Sequence, residues 1–189
     1  MSDAITTIDK QFYNTIKSRI KEKDKLLLIP NFVDADLYSI KSSISLPDEF
    51  EKIKGYTNIV YAGNIGLAQE WDLIINLAKE IKEFKITIWI VGEGQRKPYL
   101  ESKIIKNELD NIKLLPYYDR KFMPAINLFA DIHFIAMNKK VEKYGFPSKV
   151  YTIMASGKPI LVVSSEGTPI VSFLKEINAA LLVTDHSIS

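Results

Sequence analysis

The sequence contains no cysteine and only two histidines, His133 and His186. The first absence excludes thiol catalysis and cysteine-ligated zinc, and it suits a reducing compartment. The second argues against a histidine-rich metal centre, because the two imidazoles stand alone in the chain. Long apolar runs are also missing, and no stretch reaches the roughly 18 uninterrupted apolar residues that span a bilayer. The opening residues from Met1 to Thr7 lack the basic region and apolar run of a secretory signal. Nor is there an excess of one charge sign. The 25 basic and 23 acidic side chains leave a net charge of +2, which gives no basic surface for nucleic acid. The expectation is a soluble, cytoplasmic protein that binds neither nucleic acid nor, by itself, a membrane.

What is present is an ordinary globular composition. Over 189 residues, 47% are hydrophobic and 25% charged, enough for one α/β domain with a sizeable core. Ile5, Ile8, Phe12, Ile16 and Ile20 recur at helical spacing and predict a helix in the first 25 residues. A short apolar run, Leu26 to Ile29, ends at Pro30, and Ser42 to Lys54 reads as a loop. From Asn58 onward strands and helices alternate. Strands are predicted at Asn58–Ala62, Lys85–Val91, Asn111–Leu115, Ile132–Met137, Pro159–Ser164 and Ala180–Thr184. Helices are predicted at Leu67–Glu83, before Lys106, at Pro124–Ala130, Pro147–Ser156 and Pro169–Ile177. Such alternation calls for a Rossmann-like parallel six-stranded sheet with helices on both faces. Ligands of these sheets bind at the carboxyl ends of the strands, near the point where strand order reverses.

Several turns fall at those ends. Gly63-Asn64-Ile65-Gly66 lets the backbone approach an anion such as a diphosphate, or is simply a βα turn that needs positive φ. Gly92-Glu93-Gly94-Gln95-Arg96 repeats the pattern, and Arg96 offers a planar cation to a base or phosphate. Pro116 and Tyr117 follow the third strand, where backbone groups can read a nucleobase edge or the ring can serve packing. The densest cluster runs from Glu142 to Pro159. It contains Gly145, Phe146, Pro147, Ser148 and Lys149, in which Ser148 can hold phosphate oxygens and Lys149 can offset charge on a leaving diphosphate. Glu166 and Thr168 supply an acidic group and a helix start after the fifth strand, as ribose or phosphate contacts.

The order of these motifs resembles the C-terminal domain of GT-B-fold, family 4 (group 1) retaining glycosyltransferases. The carrying segments are Ile29–Asp34, Tyr61–Gly66, Val91–Gly94 and Gly145–Ile160. The Gly63–Gly66 turn followed by Leu67-Ala68-Gln69 is similar to bacterial polysaccharide and O-antigen enzymes of the colanic-acid and fucosaminyltransferase type. The resemblance implies a nucleotide-sugar donor, UDP in preference to GDP, used without a metal or other cofactor. It implies that Glu142 sits near the transferred sugar and that Lys149 serves the diphosphate. It further implies that Gly63, Asn64, Gly66, Arg96, Pro116, Tyr117, Gly145, Phe146, Pro147, Ser148, Glu166 and Thr168 line the donor site. Two positions depart from the family pattern. Thr152 stands where a second, ribose-gripping glutamate is expected, and Gln69 where a phosphate-binding lysine is usual. The expected organisation is a remnant of an N-terminal domain or linker helix in residues 1–25 and a donor-binding domain in 26–189 that stops before its closing helices. The acceptor-binding N-terminal domain is then a missing partner, the isolated domain transfers little, and only the intact enzyme's acceptor brings it to a membrane. Two other readings remain: a nucleotide-sugar 2-epimerase of the same architecture, and a non-catalytic Rossmann-type nucleotide-binding module.

Overall fold

The computed structural model describes residues 2–38 and 45–186. In chain order the elements are β1 (Ile5–Thr7), α1 (Lys10–Lys17), β2 (Leu26–Leu28), β3 (Thr57–Ala62), α2 (Trp71–Glu80), β4 (Ile86–Val91) and α3 (Lys97–Lys106). They continue with β5 (Ile112–Leu115), α4 (Met123–Phe129), β6 (Ile132–Ala136), α5 (Lys149–Ala155), β7 (Ile160–Val163), α6 (Pro169–Ile177) and β8 (Leu181–Val183). Strands β3 to β8 form a six-stranded sheet in the order β5-β4-β3-β6-β7-β8, every neighbouring pair parallel. The order reverses between β3 and β6, so the adjoining turns diverge there and open a crevice. The Rossmann-like fold expected from the alternation is the one observed.

The sheet is buried on both faces because its central strands are apolar at nearly every position. Alternation then divides them by face. Ile59, Tyr61, Ile88 and Ile90 pack under α2 and α3 with Trp71, Ile74 and Leu100. Val60, Ala62, Trp89 and Val91 point the other way, against Ile126, Phe129 and Phe50. Trp89 is the centre of that second layer. Its ring stacks on Phe50 at 5.4 Å, meets Phe129 edge-on at 5.1 Å, and its indole N–H donates to Asn58 Oδ1 at 3.0 Å. A third layer, from Ile135, Val162, Val150 and Ile170, joins β6 and β7 to α5 and α6.

Three sequence expectations need correction. The helical spacing across Ile5–Ile20 gives only one short helix, α1, because Ile5–Thr7 pairs in parallel with Leu26–Leu28 as a separate two-stranded sheet. Asp9 starts the helix by accepting hydrogen bonds from the Gln11 and Phe12 amides. Helix α2 begins at Trp71 rather than Leu67. The intervening backbone bonds across to the end of β6, through Glu70 N–H to Ala136 O and Asn138 N–H to Ala68 O. Helix α5 begins at Lys149 rather than Pro147, with Ser148 as its cap residue. Residues 45–54 carry no helix or strand, in keeping with a loop, while Ser42–Ile44 and the terminal Ile188-Ser189 lie outside the described residues.

Replacing Trp89 with alanine removes the hub of the second layer and leaves Asn58 Oδ1 without its indole donor. It should lower unfolding stability by about 3–5 kcal/mol, read as a shift in urea midpoint; a loss under about 1 kcal/mol would contradict the packing described.

Candidate functional site

The turn after β3 meets the start of α5 at the crevice between β3 and β6, forming a cleft of ≈ 490 Å³. Gly63, Asn64, Gly66, Ala68 and Gln69 line one wall, and Gly145 to Lys149 with Thr152 line the other. Tyr61 and Met137 form its floor at the ends of their strand segments. Tyr61 belongs to β3 and is almost wholly buried. Its hydroxyl donates to Asn64 O at 2.7 Å, and its ring meets Trp71 edge-on at 5.0 Å. Trp71 in turn donates its indole N–H to Gly66 O at 2.7 Å. Two aromatic side chains therefore fix the Gly63–Gly66 turn through its carbonyls.

The side chain of Lys149 runs under this turn. Its ammonium lies 3.6 Å from the centroid of the Tyr61 ring, and Nζ has no hydrogen-bond partner among the described residues. A Cβ built on Gly63 would meet that Nζ at 2.7 Å, and φ at Gly63 is +142°. The positive φ calls for glycine, and any side chain here would also displace the ammonium. The electron-rich face of Tyr61 compensates the cation only in part. Burial holds Lys149 far below the ordinary lysine range, down to about 7. A buried, unpaired ammonium on a cleft wall is a site built for an anion.

Glycines 92 and 94 have a different role from the one their motif implied. A Cβ at Gly92 would collide with the Gly63 carbonyl, and one at Gly94 with that of Ile65. The two turns pack backbone to backbone, joined by Ile65 N–H to Glu93 O and Arg96 N–H to Ile65 O. The second loop therefore props the first. Arg96 lies outside the main cleft, with its guanidinium carbon 3.9 Å from the centroid of the Tyr99 ring. It lines a neighbouring cleft of ≈ 390 Å³ together with Glu70, Asp72, Asn138 and Lys140. Gln69 belongs to both clefts.

Of the residues singled out in the sequence, Gly63, Asn64, Gly66, Gly145, Phe146, Pro147, Ser148 and Lys149 come together around one cleft. Glu142 does not line it. Its carboxylate is 2% exposed, and Oε2 accepts from Ser164 Oγ at 3.0 Å and the Ser165 amide at 2.8 Å, with His186 Nε2 at 3.1 Å. Burial pushes this carboxyl up, but the hydrogen bonds from Ser165, Ser164 and His186 prevail and hold it below its usual value. Thr168 joins the same cluster, 3.0 Å from Ser164 Oγ. Pro116 and Tyr117 are exposed at the end of β5, and Glu166 is exposed and paired with Lys175 at 2.7 Å. His133 is buried against Asn127 O, so neither histidine lines the cleft.

Tyr61 and Met137 were missed among the site residues because, in sequence, they read as ordinary core positions in strand segments. Their signal was positional: each sits at the carboxyl end of its apolar run, at the reversal of strand order. Thr152 lines the cleft where the resemblance expects a carboxylate, and its hydroxyl donates to Lys149 O at 2.8 Å. Among the described residues no group of three or more His, Asp or Glu could hold a metal ion, and no helix is long and apolar enough to cross a membrane.

Comparison with known proteins matches residues 56–188 to the family described as "Glycosyl transferases group 1". The chain is 25% identical over 175 residues to a protein of Escherichia coli (strain K12) named "Putative colanic acid biosynthesis glycosyl transferase WcaI", covering 88% of this chain and 42% of the relative. In fold it is similar to the crystal structure of Anabaena Alr3699/HepE in complex with UDP and glucose. That similarity has a TM-score of 0.78 and 15% identity, covering 99% of this chain and 50% of the other. It is also similar to WaaG, a glycosyltransferase involved in lipopolysaccharide biosynthesis, with a TM-score of 0.69 and 14% identity over 95% of this chain and 49% of that one. The chain thus spans half or less of the length of these proteins.

The buried cation of Lys149 gives a stability signature. Its destabilisation is fully present below pH about 7 and fades as pH rises towards 10.5, because the unfolded chain keeps its proton over that window. Between pH 7 and 9 the wild type should gain on the order of 2 kcal/mol relative to Lys149→Met, measured by urea unfolding of both. A gap between the two proteins that does not change with pH would refute the buried, unpaired cation.

Proposed function

The chain belongs to the family of group 1 glycosyl transferases, and from that premise we propose that it is the nucleotide-sugar-binding domain of a retaining glycosyltransferase. The donor is a UDP-sugar, held at the cleft between the Gly63–Gly66 turn and the start of α5. The acceptor is a polysaccharide or a lipid-linked saccharide bound by a second, N-terminal domain. The observation that carries this reading is the ammonium of Lys149, buried without a partner beneath the Gly63 turn.

A diphosphate answers that feature. When the bond from the anomeric carbon to the diphosphate oxygen breaks, the electron pair stays on the leaving group. A fixed cation in a desolvated site stabilises that charge more strongly than water does. Lys149 thus supplies charge compensation that a divalent cation gives elsewhere. Gly63 lets the phosphate approach the backbone, and Ser148 and Thr152 offer hydroxyls across the cleft. Glu142 is read as a positioning residue: by anchoring the loop before Gly145 to the end of β7, it sets the wall that carries Phe146 to Ser148. Retention at the anomeric carbon is the expectation from the family 4 resemblance.

The small sheet of β1 and β2 supports a second domain. Among the described residues these two parallel strands leave both outer edges unpaired, and Leu27 and Leu28 of β2, with Ile29 after it, are exposed. We assign these elements to the boundary with an acceptor-binding domain. Transfer then requires both domains, since proximity of donor and acceptor supplies much of the rate.

Isothermal titration should find UDP bound in preference to ADP and NAD, and binding of NAD alone would sink the reading. Lys149→Met should weaken UDP by roughly 10- to 100-fold, the loss of one charge-assisted hydrogen bond. Because the free ammonium is partly deprotonated above pH about 7, UDP binding at pH 8 should take up a proton and weaken as pH rises further. Titrations in buffers of different ionisation enthalpy measure that uptake. An equal uptake in the methionine variant would remove the role given to Lys149.

A further inference from the structure

Gln69 is the second polar group on the cleft that the fold leaves unsatisfied. It sits in the stretch between the Gly63–Gly66 turn and α2, where it forms an isolated antiparallel bridge with Met137. Its side chain is 7% exposed. Among the described residues the carboxamide oxygen has no hydrogen-bond partner, and the carboxamide nitrogen meets only the Met137 thioether at 3.9 Å. A thioether is a weak acceptor. A buried amide left without partners is destabilising, and on the wall of a cleft it calls for a reason.

The chemistry of the amide narrows the ligand. Its neutral carboxamide offers one acceptor and two donors side by side. A phosphate has only acceptor oxygens and would leave the carbonyl unsatisfied. A hydroxyl both donates and accepts, so neighbouring hydroxyls or an acetamido group of a sugar complement a carboxamide fully. Position narrows it further. Lys149 marks the anionic part of the ligand, and Gln69 lines both the main cleft and the neighbouring one of ≈ 390 Å³. A sugar to be transferred must be reachable by a second substrate, which suits a residue shared by two clefts better than one at a closed end.

We propose that Gln69 is a specificity-determining residue that reads the sugar of the donor through its carboxamide, while Lys149 holds the diphosphate. This rests on the donor-binding reading above and adds to it which group of the ligand each residue serves. Loss of the amide removes discrimination among sugars and leaves nucleotide binding intact. A site that hydrogen-bonds a hydroxyl rejects analogues lacking it, because its own groups are then left unpaired.

The test compares UDP with UDP-glucose, UDP-galactose and UDP-N-acetylglucosamine in calorimetric titrations of wild type and Gln69→Met. Methionine keeps the length and fits beside Met137 without the unsatisfied amide, so the variant should unfold at a urea midpoint equal to or above that of the wild type. In the wild type at least one UDP-sugar should bind more tightly than the other two by about 10-fold or more. In Gln69→Met that preference should collapse to within about 2-fold while the affinity for UDP changes by less than about 2-fold. Equal weakening of UDP and every UDP-sugar would overturn the proposal, since Gln69 would then serve the nucleotide. An unchanged sugar preference would overturn it as well, and so would a lowered urea midpoint accompanied by loss of all binding, which would make Gln69 structural. Failure of the wild type to bind UDP at all is a separate outcome that removes the donor-binding reading beneath it.

Discussion

The ammonium of Lys149 lies on the ring of Tyr61 and under the backbone of Gly63, and much of this end of the molecule is arranged to keep it there. Tyr61 can serve as its floor because β3 ends where the order of strands reverses, so the crevice opens directly above the ring. Gly63 can serve as its roof only because it has no side chain, since a Cβ would occupy the space of the ammonium. Trp71 and Tyr61 hold the carbonyls of Gly66 and Asn64, so the roof cannot drift away from the cation. Burial of a charge is normally relieved by a partner or by neutralisation. Here no partner is provided among the described residues, and the charge state becomes coupled to whatever anion enters.

The loop after β4 shows how such a site is supported at a distance. Its glycines carry the look of a ligand-binding fingerprint, yet their missing side chains make room for the Gly63 and Ile65 carbonyls. Glycine at Gly92 and Gly94 allows one turn to approach another turn, just as glycine at Gly63 allows a turn to approach a cation. Sequence cannot distinguish these cases, because the requirement is the same and only the neighbour differs.

That ambiguity accounts for most of what the sequence left undetermined. The six alternating strands were legible because largely apolar runs such as Ile86–Val91 and Ile160–Val163 have no other stable home than a sheet covered on both faces. The cluster from Gly145 to Lys149 was legible as well, since its position after the fourth strand of the sheet follows from counting. The N-terminal segment was not. Ile5 and Ile8 satisfy a helical period by spacing, while the partner that makes Ile5–Thr7 a strand, Leu26–Leu28, is remote in sequence. The start of α2 was misjudged for a related reason: nothing local announces that the backbone of residues 68–70 will bond to the end of β6. The distribution of glutamates misled in the same way. Glu142 stands close to the glycine turn in sequence, but its carboxylate is turned to the end of β7, where Ser164, Ser165 and His186 occupy it.

The contrast between Glu142 and the pair Lys149 and Gln69 separates two kinds of buried polar group. Glu142 is tied to a serine hydroxyl, a backbone amide and an imidazole, with Thr168 completing the cluster through Ser164. A group satisfied in this way contributes to rigidity and has little left to offer a ligand. The Lys149 ammonium and the Gln69 carboxamide oxygen are also buried, on a cleft wall, and among the described residues neither has a hydrogen-bond partner. Each lowers the stability of the free fold, so each is retained against a standing disadvantage unless a ligand relieves it. The two deficits also differ in kind: one is a missing anion, the other a missing donor–acceptor pair. A molecule that relieves both carries negative charge and, beside it, a neutral hydrogen-bonding group, and the sugar diphosphate of the proposed function has both.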